Sequence, residues 1–112
     1  MHFQLIKTQT PRVFYGDIPT GLLDDEAETY MFDWDDMLIM LEDFRTPIND
    51  LCDTLFDIGD VDYLPANKCT LIIPWLESRL DTCEGRLYDL YSILLDYAQR
   101  AVELDTGVVV EL

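Results

Sequence analysis

Positive charge is what this 112-residue chain has least of. Seven Lys and Arg stand against 23 Asp and Glu, with a single histidine and a net charge of −16. Neutralising phosphates requires clustered basic residues, and these seven are scattered, so direct nucleic-acid binding is not expected. Anionic membranes are disfavoured by the same argument. No apolar run approaches the length of a membrane span. The opening stretch MHFQLIKTQTPRVF lacks a charged segment followed by a long apolar one, so no signal peptide is expected. Cysteine is also sparse. Cys52, Cys69 and Cys83 are odd in number, far apart, and set in or beside apolar runs. That arrangement points to reduced, buried thiols in a reducing compartment. A cytoplasmic protein is the expectation.

The usual catalytic sets are missing as well. Ser78 and Ser92 fall inside helical patterns, and neither occupies a G-x-S-x-G turn. The lone histidine, His2, is at the chain terminus. No glycine-rich phosphate loop occurs. Asp57, Asp60 and Asp62 fail as a calcium loop, because Gly59 precedes Asp60 and the twelfth position from Asp57 is Lys68. The cysteines form no C-x-x-C pair, so a zinc finger fails too. Carboxylate pairs are so common here that a glycosidase-like pair carries no signal. The expectation is a non-enzyme with no cofactor and no resident metal.

What is present is a core. Hydrophobic residues make up 49% of the chain and aromatics 12%, too apolar for a disordered acidic tail. One domain spanning residues 1–112 buries roughly two-thirds of the surface its unfolded chain would expose. Residues 2–8 alternate as a strand. Residues 12–16 form a second strand candidate, stopped by Gly16 and Pro19, and residues 28–32 a third. Asp33 reads as a helix N-cap, with Asp35 and Asp36 in the first turn, where the helix dipole favours negative charge. Phe32 and Met37 are placed for a hydrophobic staple. This helix is expected to reach Arg45, with Trp34, Met37, Leu38, Leu41 and Phe44 on its apolar face.

Thr46-Pro47 marks a second helix start, with Ile48, Leu51, Cys52 and Leu55 buried and an end near Gly59. Residues 57–68 read as a polar loop. Residues 70–80 read as a third helix capped by Thr70; a short strand CTLII before a helix starting at Pro74 competes with it. Asp81 and Glu84 resemble a capping box before a fourth helix over 84–104, with Leu87, Tyr91, Leu94, Ala98 and Ala101 at helical spacing. Gly107 is placed to end that helix, leaving VVVEL as a terminal strand. The predicted fold is α+β: a small antiparallel sheet, built from N-terminal strands and a C-terminal strand, packed against about four helices.

The carboxylates then form a pattern of their own. Asp24, Asp25 and Glu26 precede the first helix. On that helix Asp35 and Glu42 are seven residues apart, as are Asp36 and Asp43, so each pair shares one side at about 10 Å separation. Asp57, Asp60 and Asp62 follow the second helix. A hairpin of these two helices would join all of them into one anionic face, with Tyr63 as an aromatic anchor.

Small size, one domain, intense acidity, free cysteines and no catalytic set together resemble the immunity proteins of bacterial toxin–immunity systems. The resemblance implies a non-enzymatic inhibitor that covers the cationic site of a basic toxin, commonly a nuclease. Electrostatic steering, which raises association rates by roughly ten- to a thousandfold, would suit that task. Two other readings share the same features: a phage-type nucleic-acid mimic of the anti-restriction or anti-CRISPR kind, and a non-catalytic subunit of a larger complex.

Overall fold

The computed structural model describes residues 1–54 and 56–112. Its elements run β1 (His2–Ile6), β2 (Val13–Tyr15), β3 (Ile18–Thr20), β4 (Ala27–Met31), α1 (Trp34–Cys52), β5 (Val61–Pro65), α2 (Ala66–Leu80), α3 (Gly85–Leu104) and β6 (Gly107–Glu111). The main sheet is antiparallel with strand order β4-β1-β6-β5, and β2 and β3 form a separate hairpin. The two termini therefore pair side by side at the sheet centre. His2 stands opposite Glu111, and Leu5 opposite Val108.

Strand side chains alternate between faces. Phe3 and Leu5 of β1, Leu64 of β5, and Val108 and Val110 of β6 point together into the core. All three helices cover that face. They contribute Met37, Met40, Phe44 and Ile48 from α1, Ile72 and Leu76 from α2, and Leu90, Tyr91 and Leu94 from α3. Phe44 sits at the centre of an aromatic cluster, with ring centroids 5.3 Å from Phe56, 6.1 Å from Trp75 and 6.4 Å from Tyr91. Such edge-on and tilted pairs add to plain area burial.

The α+β architecture agrees with expectation, but three helices replace four. The break expected at Thr46-Pro47 does not occur, and α1 runs through Pro47 to Cys52. A proline removes one intrahelical hydrogen bond. Burial of Ile48 and Cys52, which extend the stripe Met37-Leu41-Phe44, offsets that loss. The helix ends on Asp53, which adopts the left-handed conformation (φ 53°). Leu55, expected on the buried stripe, lies outside the described residues.

Of the polar loop expected over 57–68, residues 57–60 are loop, but residues 61–68 supply β5 and the first turn of α2. Asp62 and Pro65 disguise the strand, yet both residue types are common on edge strands, where they deter unwanted pairing. Thr70 caps nothing, since α2 begins at Ala66, and Pro74 lies within the helix. Asp81 ends α2 rather than opening α3. Gly107 is not the helix stop either, because Asp105 takes the left-handed position (φ 53°). Gly107 opens β6 opposite Pro65, where an added Cβ would come within 2.5 Å of the Tyr63 ring and 2.6 Å of the Leu64 carbonyl oxygen. A side chain is excluded there by close approach.

Candidate functional site

The acidic stretch around the start of α1 divides into carboxylates that hold the fold and carboxylates that face solvent. Asp33 belongs to the first group. Its Oδ1 accepts the Asp36 N–H (2.9 Å), and Asp36 Oδ2 accepts the Asp33 N–H (3.5 Å), a reciprocal capping box. Phe32 and Met37, expected as a staple, are both buried beside it.

Asp36 also receives Arg86 of α3 in a two-pronged pair, Nε to Oδ1 and Nη2 to Oδ2, both at 2.9 Å. Arg86 donates further to the Tyr30 hydroxyl (2.7 Å). These bonds hold the Asp36 carboxyl below its usual range, against the opposing effect of burial. Asp43 repeats the device one helical stretch along. It accepts Arg79 of α2 through both oxygens (3.0 and 2.9 Å) and the buried Tyr91 hydroxyl (2.7 Å). Burial and this bond push the Tyr91 phenol up.

The same use recurs elsewhere. Glu28 accepts Arg100 of α3 at 2.7 and 3.1 Å. Glu26 accepts Arg12 at 2.9 and 3.3 Å together with the Leu23 N–H. Asp57 accepts Arg45 at 3.1 Å and the Ile58 N–H at 2.8 Å. The five arginines of the chain are thus each held by a carboxylate from another element or loop. Four of the residues expected on the anionic face, Glu26, Asp36, Asp43 and Asp57, pair with arginines of the same chain, the Asp57–Arg45 pair at the surface.

The expected single face does not assemble. It required a hairpin of two helices, whereas α1 is one rod about 28 Å long that separates residues 33–36 from residues 53–60. Asp60 is exposed, but Asp62 is half-buried on β5. Asp62 Oδ2 has no hydrogen-bond partner among the described residues, and burial, aided by Asp60, raises its carboxyl pKa. Tyr63 is half-buried against Gly107 rather than presented as an anchor.

What remains outward on α1 is different in kind. Trp34 and Leu38, expected in the core, are 53% and 41% exposed, and Ile39 is 46% exposed. The apolar stripe that continues to Cys52 runs through Met37, Met40, Phe44 and Ile48, so the helix turns that line inward and leaves Trp34 and Leu38 on its flank. Asp35 and Glu42 are exposed on the same solvent side. The exposed carboxylates Asp24 and Asp25 lie in the loop before β4. Sequence reading missed this surface because Trp34 and Leu38 satisfy helical spacing as well as the buried stripe does.

Sequence reading also missed a cleft on the opposite side of the molecule. It lies on the sheet face turned away from the helices, with a volume of about 640 Å³. His2, Gln4, Thr29 and Glu111 line it from the sheet, and residues 18–24 close over it. His2 Nδ1 lies 3.0 Å from Glu111 Oε2, and Gln4 Nε2 donates to Thr29 Oγ1 at 3.3 Å. Burial lowers the His2 pKa and outweighs the opposing pull of Glu111. Only the sheet register reveals this group, since it joins residues from both ends of the chain.

The cysteines are unpaired. Cys52 and Cys69 are buried and Cys83 half-buried. Desolvation raises the thiol pKa of Cys52 and pushes that of Cys69 up to about 12, which makes both poor nucleophiles. Among the described residues no helix is long and apolar enough to cross a membrane, and no group of three metal-ligating side chains occurs. Compared with known proteins, the chain matches no family model, no curated protein and no solved structure.

Proposed function

We propose that this chain is a non-catalytic binding protein of the immunity type, which neutralises a basic protein partner, a nuclease toxin being the leading candidate. The observation that carries the reading is the outer face of α1. Trp34, Leu38 and Ile39 stand exposed, flanked by Asp35 and Glu42, while each of the five arginines is paired with a carboxylate of the same chain. Grouped exposed apolar side chains mark interaction surfaces; Val13, Phe14 and Tyr15 of β2 are exposed too, but no exposed carboxylate stands among them. Apolar anchors interleaved with carboxylates fit a partner that sets apolar and cationic side chains next to one another.

This layout favours a protein partner over nucleic-acid mimicry, since a mimic spaces its charges along a stripe and has little use for an exposed tryptophan beside them. The test begins with co-purification of the wild-type chain and identification of the bound protein by mass spectrometry. Trp34→Ala with Leu38→Ala should lose that protein. Asp35→Asn with Glu42→Gln should slow association in stopped-flow mixing at low salt and flatten its salt dependence. A partner retained at full rate by both variants rules out this face.

A further inference from the structure

The sheet-face cleft has no part in docking through α1, yet its chemistry complements the same class of partner. Its polar lining has one sign. Glu111 and Asp24 carry its carboxylates, and among the described residues His2 is its one basic side chain. Burial lowers the His2 pKa below its ordinary value, which favours the neutral imidazole. The Glu111 side chain is 43% exposed and meets His2 through Oε2. Gln4 lines the cleft as well, its Nε2 donating to Thr29. Pro19, Leu22, Val61 and Val109 supply apolar lining beside these acceptors. The volume lies within the range of small-ligand sites.

We infer that this cleft seats an arginine side chain presented by the cationic protein partner, its stem along the apolar lining and its guanidinium against Glu111, Gln4 and Asp24. The choice of arginine over lysine follows from geometry. The acceptors are several and spread over two strands and a loop, and a planar guanidinium offers five donors in a fixed fork, whereas an ammonium is a compact point charge. An anionic ligand would meet two carboxylates and no arginine. The inference rests on the partner being basic, but its test requires no partner.

The full-length protein, labelled with nitrogen-15, is titrated with N-acetyl-arginine amide to about 20 mM, a range that reveals a Kd near 1 mM. Backbone amide shifts should move at His2, Gln4, Thr29 and Glu111. N-acetyl-citrulline amide, nearly the same shape without the charge, should bind at least tenfold more weakly, and N-acetyl-lysine amide should fall between. Glu111→Gln should weaken arginine binding by about tenfold, as loss of a charge-assisted bond implies. Should that variant unfold, Asp24→Asn in the exposed loop serves instead, with a smaller loss expected. Shifts absent throughout the titration, equal for arginine and citrulline, or confined to α1 would overturn the inference. Variants of Trp34 and Leu38 leave the cleft intact, so failure here and failure of docking through α1 are read separately.

Discussion

Replacing Asp36 by Asn keeps the side-chain shape and an acceptor for the capping box but removes the charge that Arg86 grips. The Asp36 side chain is 12% exposed and that of Arg86 37%. A fully exposed ion pair contributes about 0–1 kcal/mol, while stripping one member from a fully buried pair costs about 3–5 kcal/mol. With the carboxylate nearly buried and the guanidinium a third open to screening, the expected loss is about 2 kcal/mol. For a chain of this size that lowers the Tm by roughly 8 °C. A double-mutant cycle with Arg86→Leu, followed by urea denaturation, should give a coupling of about 1 kcal/mol.

The pH dependence has a definite sign. The folded Asp36 pKa lies below its ordinary 3.8. The stabilisation is therefore complete above the ordinary value and disappears as pH falls through the lower folded one. The coupling should stay level from about pH 8 to pH 5 and decline as the pH falls below the ordinary carboxylate value. A coupling below about 0.3 kcal/mol at pH 7, within the scatter of independent sites, would refute the claim that this carboxylate holds α1 to α3.

Asp62→Asn should act in the opposite direction and stabilise the protein at neutral pH, because Asp62 is a partly buried carboxylate whose pKa burial raises; the gain should shrink in thermal melts below the raised pKa, and a Tm that falls at pH 7 would sink this reading. Gly107→Ala should cost about 1–3 kcal/mol by overpacking against Tyr63 and the β5 backbone, with Tyr63→Ala relieving part of that cost in urea titrations. Trp34→Ala and Leu38→Ala should each change stability by less than about 0.5 kcal/mol, as exposed positions do, while abolishing partner capture; a large drop in Tm would mean these side chains pack in solution. Thiol titration of the native protein should label Cys83 first and leave Cys52 and Cys69 unreactive until unfolding.

Local physics determined much of this protein. Alternation in residues 2–6, the cap at Asp33, the spacing of Leu90, Leu94, Ala98 and Ala101, and the apolar VVV before the C-terminus are short-range signals, and each formed the element it specified. Where a local signal competed with burial, tertiary structure decided. Thr46-Pro47 has a helix-start pattern, but the stripe from Met37 to Cys52 gains more by staying continuous than the lost hydrogen bond costs. The segment 61–65 has loop composition, but β6 offers an open edge and Leu64 a place in the core. Sequence fixed the excess of carboxylates but could not sort them. Asp35 and Asp36 are adjacent and chemically identical, yet a rotation of about 100° around the helix turns one to solvent and the other toward Arg86, fifty residues away. That assignment depends on where α3 packs, a non-local contact that no window of sequence contains. The cleft joining His2 to Glu111 has the same origin, since only pairing of the two terminal strands brings the ends of the chain together.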